Sequence, residues 1–402
     1  MLTMFAVGAG AQAFVSLLVP AFMIEVTGDP SSTGLVMAAI ALGSLAAPPL
    51  GRLADKHSAH RLVLIAGVFG MAISLALFAL STERATIYAL DALLMGVSVA
   101  AVSATGPVLI ISANLSQEVE ARQMTSLQLM LPAGQLIGGL ILAAVASWSF
   151  DARFWLGAGF LGIFGAIAVF TTAAPVARLH SALAASPQPD PGEAPRAGLR
   201  QILVSSFGLL LLVLVLSSMA NNGINSQISN ILPEVYGIDE RATAALIALA
   251  GLLNVGLFIL AGWWMGRSGP FPILLTGVVI RTAGALAMAI VGSLLDNAFI
   301  LGAASMQLMY QSLPFVRLGQ PTVAARFGHF SQGVIQGWVI AAVAAGAVIG
   351  SVVGGFLADG SGFNAINWMA AVAGGCALAL MVLAVATVYR RLEQETEPVE
   401  GP

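Results

Sequence analysis

Twelve long apolar segments, separated by short polar stretches, constrain this chain more than any other feature of its sequence. They cover roughly residues 3–25, 32–51, 60–81, 86–112, 124–146, 153–175, 201–226, 242–265, 271–292, 297–317, 331–357 and 366–389. Each is long enough to cross a bilayer as a helix, which takes about 20 mostly apolar residues. A helix also satisfies its backbone hydrogen bonds internally. We therefore predict an all-α integral membrane protein with twelve transmembrane helices.

The composition agrees with a lipid environment. Hydrophobic residues make up 58% of the 402 residues and charged residues only 9%, whereas soluble domains carry about 25% charged residues. The net charge of -3 gives no indication of nucleic acid binding. The single cysteine, Cys376, excludes an intramolecular disulfide, and we expect no metal or cofactor.

Basic residues are distributed unevenly between the two sets of loops. If both termini are cytoplasmic, the inner loops contain Arg52, Lys56, Arg61, Arg122, Arg178, Arg196, Arg200, Arg267, Arg317, Arg326, Arg390 and Arg391, and the outer loops contain Arg84, Arg153 and Arg241. Inner loops of membrane proteins are rich in Lys and Arg. The bias predicts a multi-pass protein of the plasma membrane, the bacterial inner membrane, with both termini in the cytoplasm.

Two polar stretches divide the chain into domains. We expect an N-terminal six-helix bundle over 1–175, a flexible proline-rich cytoplasmic linker over 176–200, a second six-helix bundle over 201–390 and a disordered acidic tail over 391–402.

The two halves repeat short patterns in the same order. The segment Glu25–Gly28 resembles Glu234–Gly237. Three glycines of the fifth segment and three of the eleventh follow the same spacing, and we predict that they pack helices together: Gly134, Gly138, Gly139, Gly350, Gly354 and Gly355. Repeated halves are typical of secondary transporters.

The loop between the second and third segments carries Gly51-Arg-Leu-Ala-Asp55-Lys56-His-Ser58-Ala-His-Arg61. It resembles the signature of the major facilitator superfamily, although Ser58 replaces the second glycine of that pattern. The resemblance implies two six-helix bundles that rock about a central site. It also implies an inner gate, in which Gly51, Asp55, Lys56 and Arg61 contact the eleventh helix while the protein is open to the outside.

Further segments resemble the drug:proton antiporters of this superfamily. These are Gln332–Gly337 at the start of helix eleven and Gly134–Gly139 in helix five. The match is incomplete, because Gln135 replaces a proline and Ala92 stands where helix four of these antiporters has an arginine. The usual proton coupling of that branch is therefore not implied here.

In the superfamily, helices one, four, seven and ten line the cavity, with two, five, eight and eleven at its sides. On that basis the candidate solute-binding residues are Gln12, Ser16, Ser98, Asn221, Asn222, Asn225, Gln307, Tyr310, Gln311 and Gln336. Hydrogen bonding between helices is the alternative role for the amides. Asp91 is the candidate proton carrier, because an acid inside a span is costly unless it is functional or paired; the alternative is an aspartate at the helix end that meets water.

Two arginines stand apart from these candidates. Arg281 lies in the middle of the ninth segment. It could bind an anion, but we favour pairing with a carboxylate or carbonyl, because helix nine is peripheral in the superfamily. Arg317 ends the tenth segment, where we interpret it as a topology charge.

The resemblance implies a secondary transporter that moves a small organic solute by alternating access, with proton-coupled efflux as the first interpretation. Proton-driven uptake of a polar metabolite is the alternative. A membrane-embedded enzyme, or a receptor that does not transport, is a distant alternative. The sequence lacks an H-E-x-x-H motif, and it lacks a G-x-S-x-G motif with catalytic partners. The expected partners are the solute, protons and lipid, and we expect a monomer.

Overall fold

The computed structural model describes residues 1–57, 59–81, 85–111, 117–172, 205–295, 297–327 and 332–396. Every regular element in these ranges is a helix. The first bundle consists of α1 (Leu2–Thr27), α2 (Pro30–Ser44 and Ala47–Lys56), α3 (His60–Leu80), α4 (Ala85–Ile111), α5 (Gln117–Ala144) and α6 (Phe150–Thr171).

The second bundle repeats this architecture. It consists of α7 (Ser206–Asn225 and Ile228–Tyr236), α8 (Glu240–Ser268), α9 (Pro270–Leu294), α10 (Phe299–Tyr310 and Leu313–Phe327), α11 (Gln332–Ser361) and α12 (Asn364–Thr396). In the described ranges, eleven helices are long and apolar enough to cross a membrane. The remaining one, α10, is divided into two shorter segments at Gln311 and Ser312, so the fold agrees with twelve crossings.

The repeated turn sequences produce the same helix ends in both halves. Gly28 after α1 and Gly237 after α7 both adopt left-handed conformations, with φ of 63° and 67°. Glycine is the residue that ends a helix in this conformation without steric strain. In each half an aspartate then caps the next helix: Asp29 accepts hydrogen bonds from the first turn of α2, and Asp239 does so for α8.

The two bundles meet mainly along two helix pairs, α2 with α11 and α5 with α8. The second segment of α7 also packs against α1. Its Asn230 donates a hydrogen bond to the Pro20 carbonyl of α1 at 3.2 Å, and Gln227 donates one to the Pro30 carbonyl of α2 at 2.9 Å. These contacts join the bundles at the end that contains the α1–α2 and α7–α8 turns, which we call the closed end.

The predicted linker, the predicted tail and the predicted start of α5 can be compared with the described helices. The proposed linker over 176–200 lies outside the described residues. The proposed acidic tail over 391–402 is partly helical, because α12 continues to Thr396; residues 397–402 lie outside the description. Helix α5 also starts earlier than predicted, at Gln117.

Candidate solute-binding cavity

A cavity of about 580 Å³ lies between the two bundles. Its walls come from α1, α2, α4 and α5 on one side and from α7, α9, α10 and α11 on the other. The contacts at the closed end seal it there. At the opposite end, which we call the open end, Arg317, Gln320 and Gln336 line it and remain partly or fully accessible. The volume suits a small metabolite, since ligand pockets measure about 300–1,000 Å³.

Three of the cavity helices are irregular where they meet the cavity. Helix α1 contains a π-helical turn over Gly10–Val15. Helix α7 is interrupted at Ser226 and Gln227, and α10 at Gln311 and Ser312. Irregular backbone inside a membrane occurs where it is enclosed by protein or lines a cavity, and interrupted helices often form binding sites in secondary transporters.

Seven of the predicted solute-binding residues line the cavity: Gln12, Ser16, Asn221, Asn222, Asn225, Tyr310 and Gln336. Tyr310 donates its hydroxyl proton to the side-chain oxygen of Asn225 and so joins α10 to α7 beside their breaks. Gln12 and Asn221 have no hydrogen-bond partner among the described residues. Their amides, one from each bundle, are therefore free to bind water or solute.

Three of the predicted residues are not among those that line the cavity. Ser98 donates to the Leu94 carbonyl at 2.7 Å and packs against Gly70 of α3. Gln307 donates to the Leu246 carbonyl of α8 at 2.6 Å and accepts a hydrogen bond from Gln311 at 3.1 Å. The bond from Gln307 to α8 corresponds to the alternative role that the sequence left open for the amides, hydrogen bonding between helices, whereas Ser98 bonds within its own helix.

Asp91 also lies away from the cavity. It is 6% exposed, and its carboxylate accepts a hydrogen bond from Ser81 at 2.6 Å while its backbone carbonyl accepts one from Ser74 at 2.7 Å. Both partners belong to α3 or follow it directly. The carboxylate therefore lies between α3 and α4, and Asp91 is not among the residues that line the cavity.

The rotation of α4 explains the positions of Asp91 and Ser98. Asp91 and Ser98 lie on the surface of α4 that faces α3, where Gly67 and Gly70 receive Ser98 and Val102. The surface of α4 that lines the cavity instead contains Gly96, Val99 and Ser103.

Comparisons with known proteins agree with this architecture. The family model described as Major Facilitator Superfamily matches residues 1–315. The chain belongs to the major facilitator superfamily. It is a multi-pass membrane protein and a secondary transporter, and its function class is therefore transport rather than catalysis.

Solved structures of superfamily members have the same fold. A mutant of the nucleoside transporter NupG is similar over 96% of this chain and 98% of its own, with a TM-score of 0.69 and 13% identity. The inward open conformation of the xylose transporter XylE from E. coli is similar over 94% of both chains, also with a TM-score of 0.69 and 13% identity. Among curated proteins, none matches this chain.

Gly51, Lys56 and Arg61, the predicted gate residues whose side chains or backbone the structure describes, form no hydrogen bond with the described part of α11. No atom lies within 4 Å of where a side chain at Gly51 would begin, and Lys56 is exposed. Arg61 donates instead to the Val169 carbonyl of α6 at 2.6 Å, while the side chain of Asp55 lies outside the description. The contact of this motif with α11 that the resemblance implies is expected for the state open to the outside, and it stays a prediction.

The six repeated glycines lie at close helix contacts, and they divide the same way in both halves. Gly134 and Gly138 pack against α1, and Gly350 and Gly354 pack against α7, each within its own bundle. The third glycine of each set faces the other bundle: Gly139 contacts α8, and Gly355 contacts α2. The repeat therefore combines packing within a bundle with packing between bundles.

Arg281 and Arg317 both line the cavity, although the sequence favoured a pairing role for Arg281 over anion binding and a topology role for Arg317. We favoured a carboxylate or carbonyl partner for Arg281; its hydrogen bonds go to one carbonyl and two hydroxyls. Arg317 does not end α10, because that helix continues to Phe327. The signal that could have found them is their position: arginine inside an apolar segment is rare unless it faces a polar interior.

Proposed function

We propose that this superfamily member carries a small polar organic solute across the bacterial inner membrane by alternating access, with both termini in the cytoplasm and as a monomer. The observation that carries the proposal is the cavity between the bundles, which contains amide and hydroxyl side chains and has the unpartnered amides of Gln12 and Asn221 on opposite walls. A solute bound by both amides would contact both bundles, and its site would change sides as they rock.

For the direction of transport, we propose proton-driven uptake of a polar metabolite ahead of efflux. The lining is rich in amide and hydroxyl groups, with Tyr310 as its single aromatic residue among those described, which suits a hydrophilic solute better than an apolar drug. NupG and XylE, which share the fold, are named as nucleoside and xylose transporters. Efflux remains the second proposal, supported by the antiporter-like segments of α5 and α11.

The test is solute flux in proteoliposomes that contain the purified protein. Uptake and counterflow of labelled sugars, nucleosides, amino acids and carboxylic acids would be measured with and without a pH gradient. For a solute that is transported, Gln12→Ala and Asn221→Ala should each raise KM about tenfold, as expected when a hydrogen-bonding partner is lost. Ser98→Ala, a polar truncation outside the cavity, is the matched control and should leave KM unchanged. Equal effects of all three substitutions would contradict the assigned cavity.

A further inference from the structure

The charges that line the cavity are all positive. Arg281 and Arg317 are its charged residues, and no Asp or Glu occurs among the lining residues that the structure describes. A cation would be repelled from such a site, whereas a solute that carries a negative charge would be attracted into it. The charge pattern therefore narrows the class of solute beyond what the polar lining indicates.

Arg281 is a buried cation that has no counterion among the residues that the structure describes. It is 4% exposed, and its Nε donates to Ser312 Oγ at 3.1 Å while Nη1 donates to Ser217 Oγ at 3.0 Å and to the Ser217 carbonyl at 3.3 Å. These neutral acceptors fix the orientation of the guanidinium but leave its charge uncompensated. Within a membrane protein such a charge is costly unless it is paired or serves a pathway.

The break in α10 brings the second cation to the same wall. Ser312, at the break, accepts a hydrogen bond from Arg281. Arg317 belongs to the segment that starts at Leu313, and it lines the cavity. The Arg317 side chain is exposed and has no partner in the described part of the chain. Both guanidinium groups line the same cavity, where their like charges repel each other. An anion bound by both would replace this repulsion with two attractions.

The need to set the orientation of the protein in the membrane does not explain these two arginines. Positive residues that set orientation lie in loops or near helix ends, whereas Arg281 is buried near the middle of α9 and is anchored by residues of two other helices, α7 and α10. Helix α9 is the least expected of the cavity helices, and this arginine is the reason it takes part in the lining.

We propose that the transported solute is a small organic anion, whose carboxylate or phosphate binds Arg281 and Arg317. Guanidinium groups match these anions because they donate paired hydrogen bonds in a plane. The amides of Gln12 and Asn221 bind the neutral polar part of the same solute. This assignment rests on the proposed function and adds the charge of the substrate to it.

The experiment measures thermal unfolding of the purified full-length protein with matched pairs of compounds. The pairs are a hexose with its 6-phosphate, the same hexose with its uronate, and a nucleoside with its 5′-monophosphate; inorganic phosphate and acetate are added as minimal anions. Sodium chloride at equal ionic strength is the reference for each. We expect at least one anionic compound to raise Tm in a saturable way, while its neutral partner does not.

Variants connect the effect to the two arginines. Arg317→Gln and Arg281→Gln should weaken binding of that anion about tenfold or more, and Arg317→Lys should restore part of it because the charge is retained. Arg326→Gln, an exposed arginine of the same α10 segment that does not line the cavity, is the control and should bind as the wild type does. Because Arg317 is exposed, its substitution tests the proposal even if Arg281→Gln does not fold.

The outcomes separate this proposal from the proposed function. If neutral hexose or nucleoside stabilises the protein and the arginine variants bind it equally well, the solute is polar but not anionic, and only the present inference is wrong. If no anion raises Tm above the chloride reference, the inference is also wrong. If only the carboxylates raise Tm, or only the phosphates do, the result identifies which anionic group the site binds.

Discussion

Arg153 of α6 and Glu240 of α8 form an ion pair that joins the two bundles at the closed end of the cavity. The arginine is buried, with 5% of its side chain exposed, whereas the glutamate is 36% exposed. The Phe150 ring lies 4.1 Å from the guanidinium carbon, and Glu25 of α1 attracts the same charge. The pair exists only while the bundles are together at this end, so it stabilises one state of the transport cycle.

Glu240→Gln should therefore shift the protein toward the state that is open at this end. Loss of the counterion leaves Arg153 buried without its strongest partner, which we expect to cost about 1–2 kcal/mol for a half-exposed pair. The measurement is the alkylation rate of Ser16→Cys in the cavity by an impermeant reagent added at the closed end. The background carries Cys376→Ser, because the native cysteine is exposed.

Arg241→Gln is the control for this prediction, since it removes an exposed neighbouring charge. It should leave the alkylation rate at the wild-type value. If Glu240→Gln gives the same rate as Arg241→Gln, the ion pair has no part in closing this end.

Gly355 provides a second test of the closed end. A β-carbon at Gly355 would lie 2.8 Å from the Pro30 carbonyl oxygen and 3.0 Å from the α-carbon of Gly34 in the other bundle. Gly355→Ala should destabilise the observed state by about 1–3 kcal/mol, as overpacking does. Gly354→Ala is the matched control, because its nearest neighbour, the Gly223 carbonyl oxygen, would lie at an ordinary 3.4 Å.

The measurement is again accessibility of the cavity from the closed end. Gly355→Ala should increase it, and Gly354→Ala should not. An equal response would show that the effect comes from altered helix propensity, for which alanine is better than glycine by about 1 kcal/mol, and not from the contact between bundles.

The sequence predicted the helices and the repeated glycines because both depend on patterns within short stretches of the chain. Hydropathy defines each span, and the spacing of Gly134, Gly138 and Gly139 recurs in α11 with equivalent contacts. The helix breaks were not predicted. The polar residues around Ser226 and Gln311 were interpreted as cavity-lining residues, and no feature of the sequence indicated that α7 and α10 are interrupted at these positions.

The direction in which each helix faces was the other limit. A membrane helix is apolar on most of its surface, so the amphipathic stripe that orients a soluble helix is weak. Asp91 and Ser98 lie on one surface of α4, but that surface faces α3 and not the cavity. Arg317 was misjudged for a related reason, since the polar residues that follow it, such as Gln320, looked like a loop and are helical.

The cap of α2 predicts a dependence of stability on pH. Burial acts to raise the pKa of Asp29, but hydrogen bonds from Ser32 and Ser31 outweigh it, so the pKa lies below its ordinary value. Because the pKa is lower in the folded state, the ionised carboxylate stabilises the fold at pH values above the ordinary pKa of about 4. This stabilisation is lost as the pH falls through the pKa of the folded state. Thermal unfolding between about pH 5 and 3 should show this loss.

Asp29→Asn separates the charge from the cap, because asparagine is an equally good capping residue. At pH 7 the variant should lose less than about 1 kcal/mol, and its Tm should fall less steeply with acid than that of the wild type. Ser31→Ala, which removes a hydrogen bond of 2.7 Å to the carboxylate, should reduce the steepness in part. Identical acid profiles for all three proteins would exclude Asp29 as a source of the dependence.

Asp91→Asn distinguishes a structural role from proton transfer. The carboxylate binds Ser81 between α3 and α4, and asparagine retains an oxygen that can accept the same hydrogen bond. We therefore expect counterflow and pH-gradient-driven accumulation to stay within about twofold of the wild type, whereas Asp91→Ala should lower stability by about 1–3 kcal/mol, because Ser81 loses its acceptor. Counterflow that persists in Asp91→Asn while gradient-driven accumulation stops would instead make Asp91 the proton carrier, acting from outside the cavity through the packing of α4.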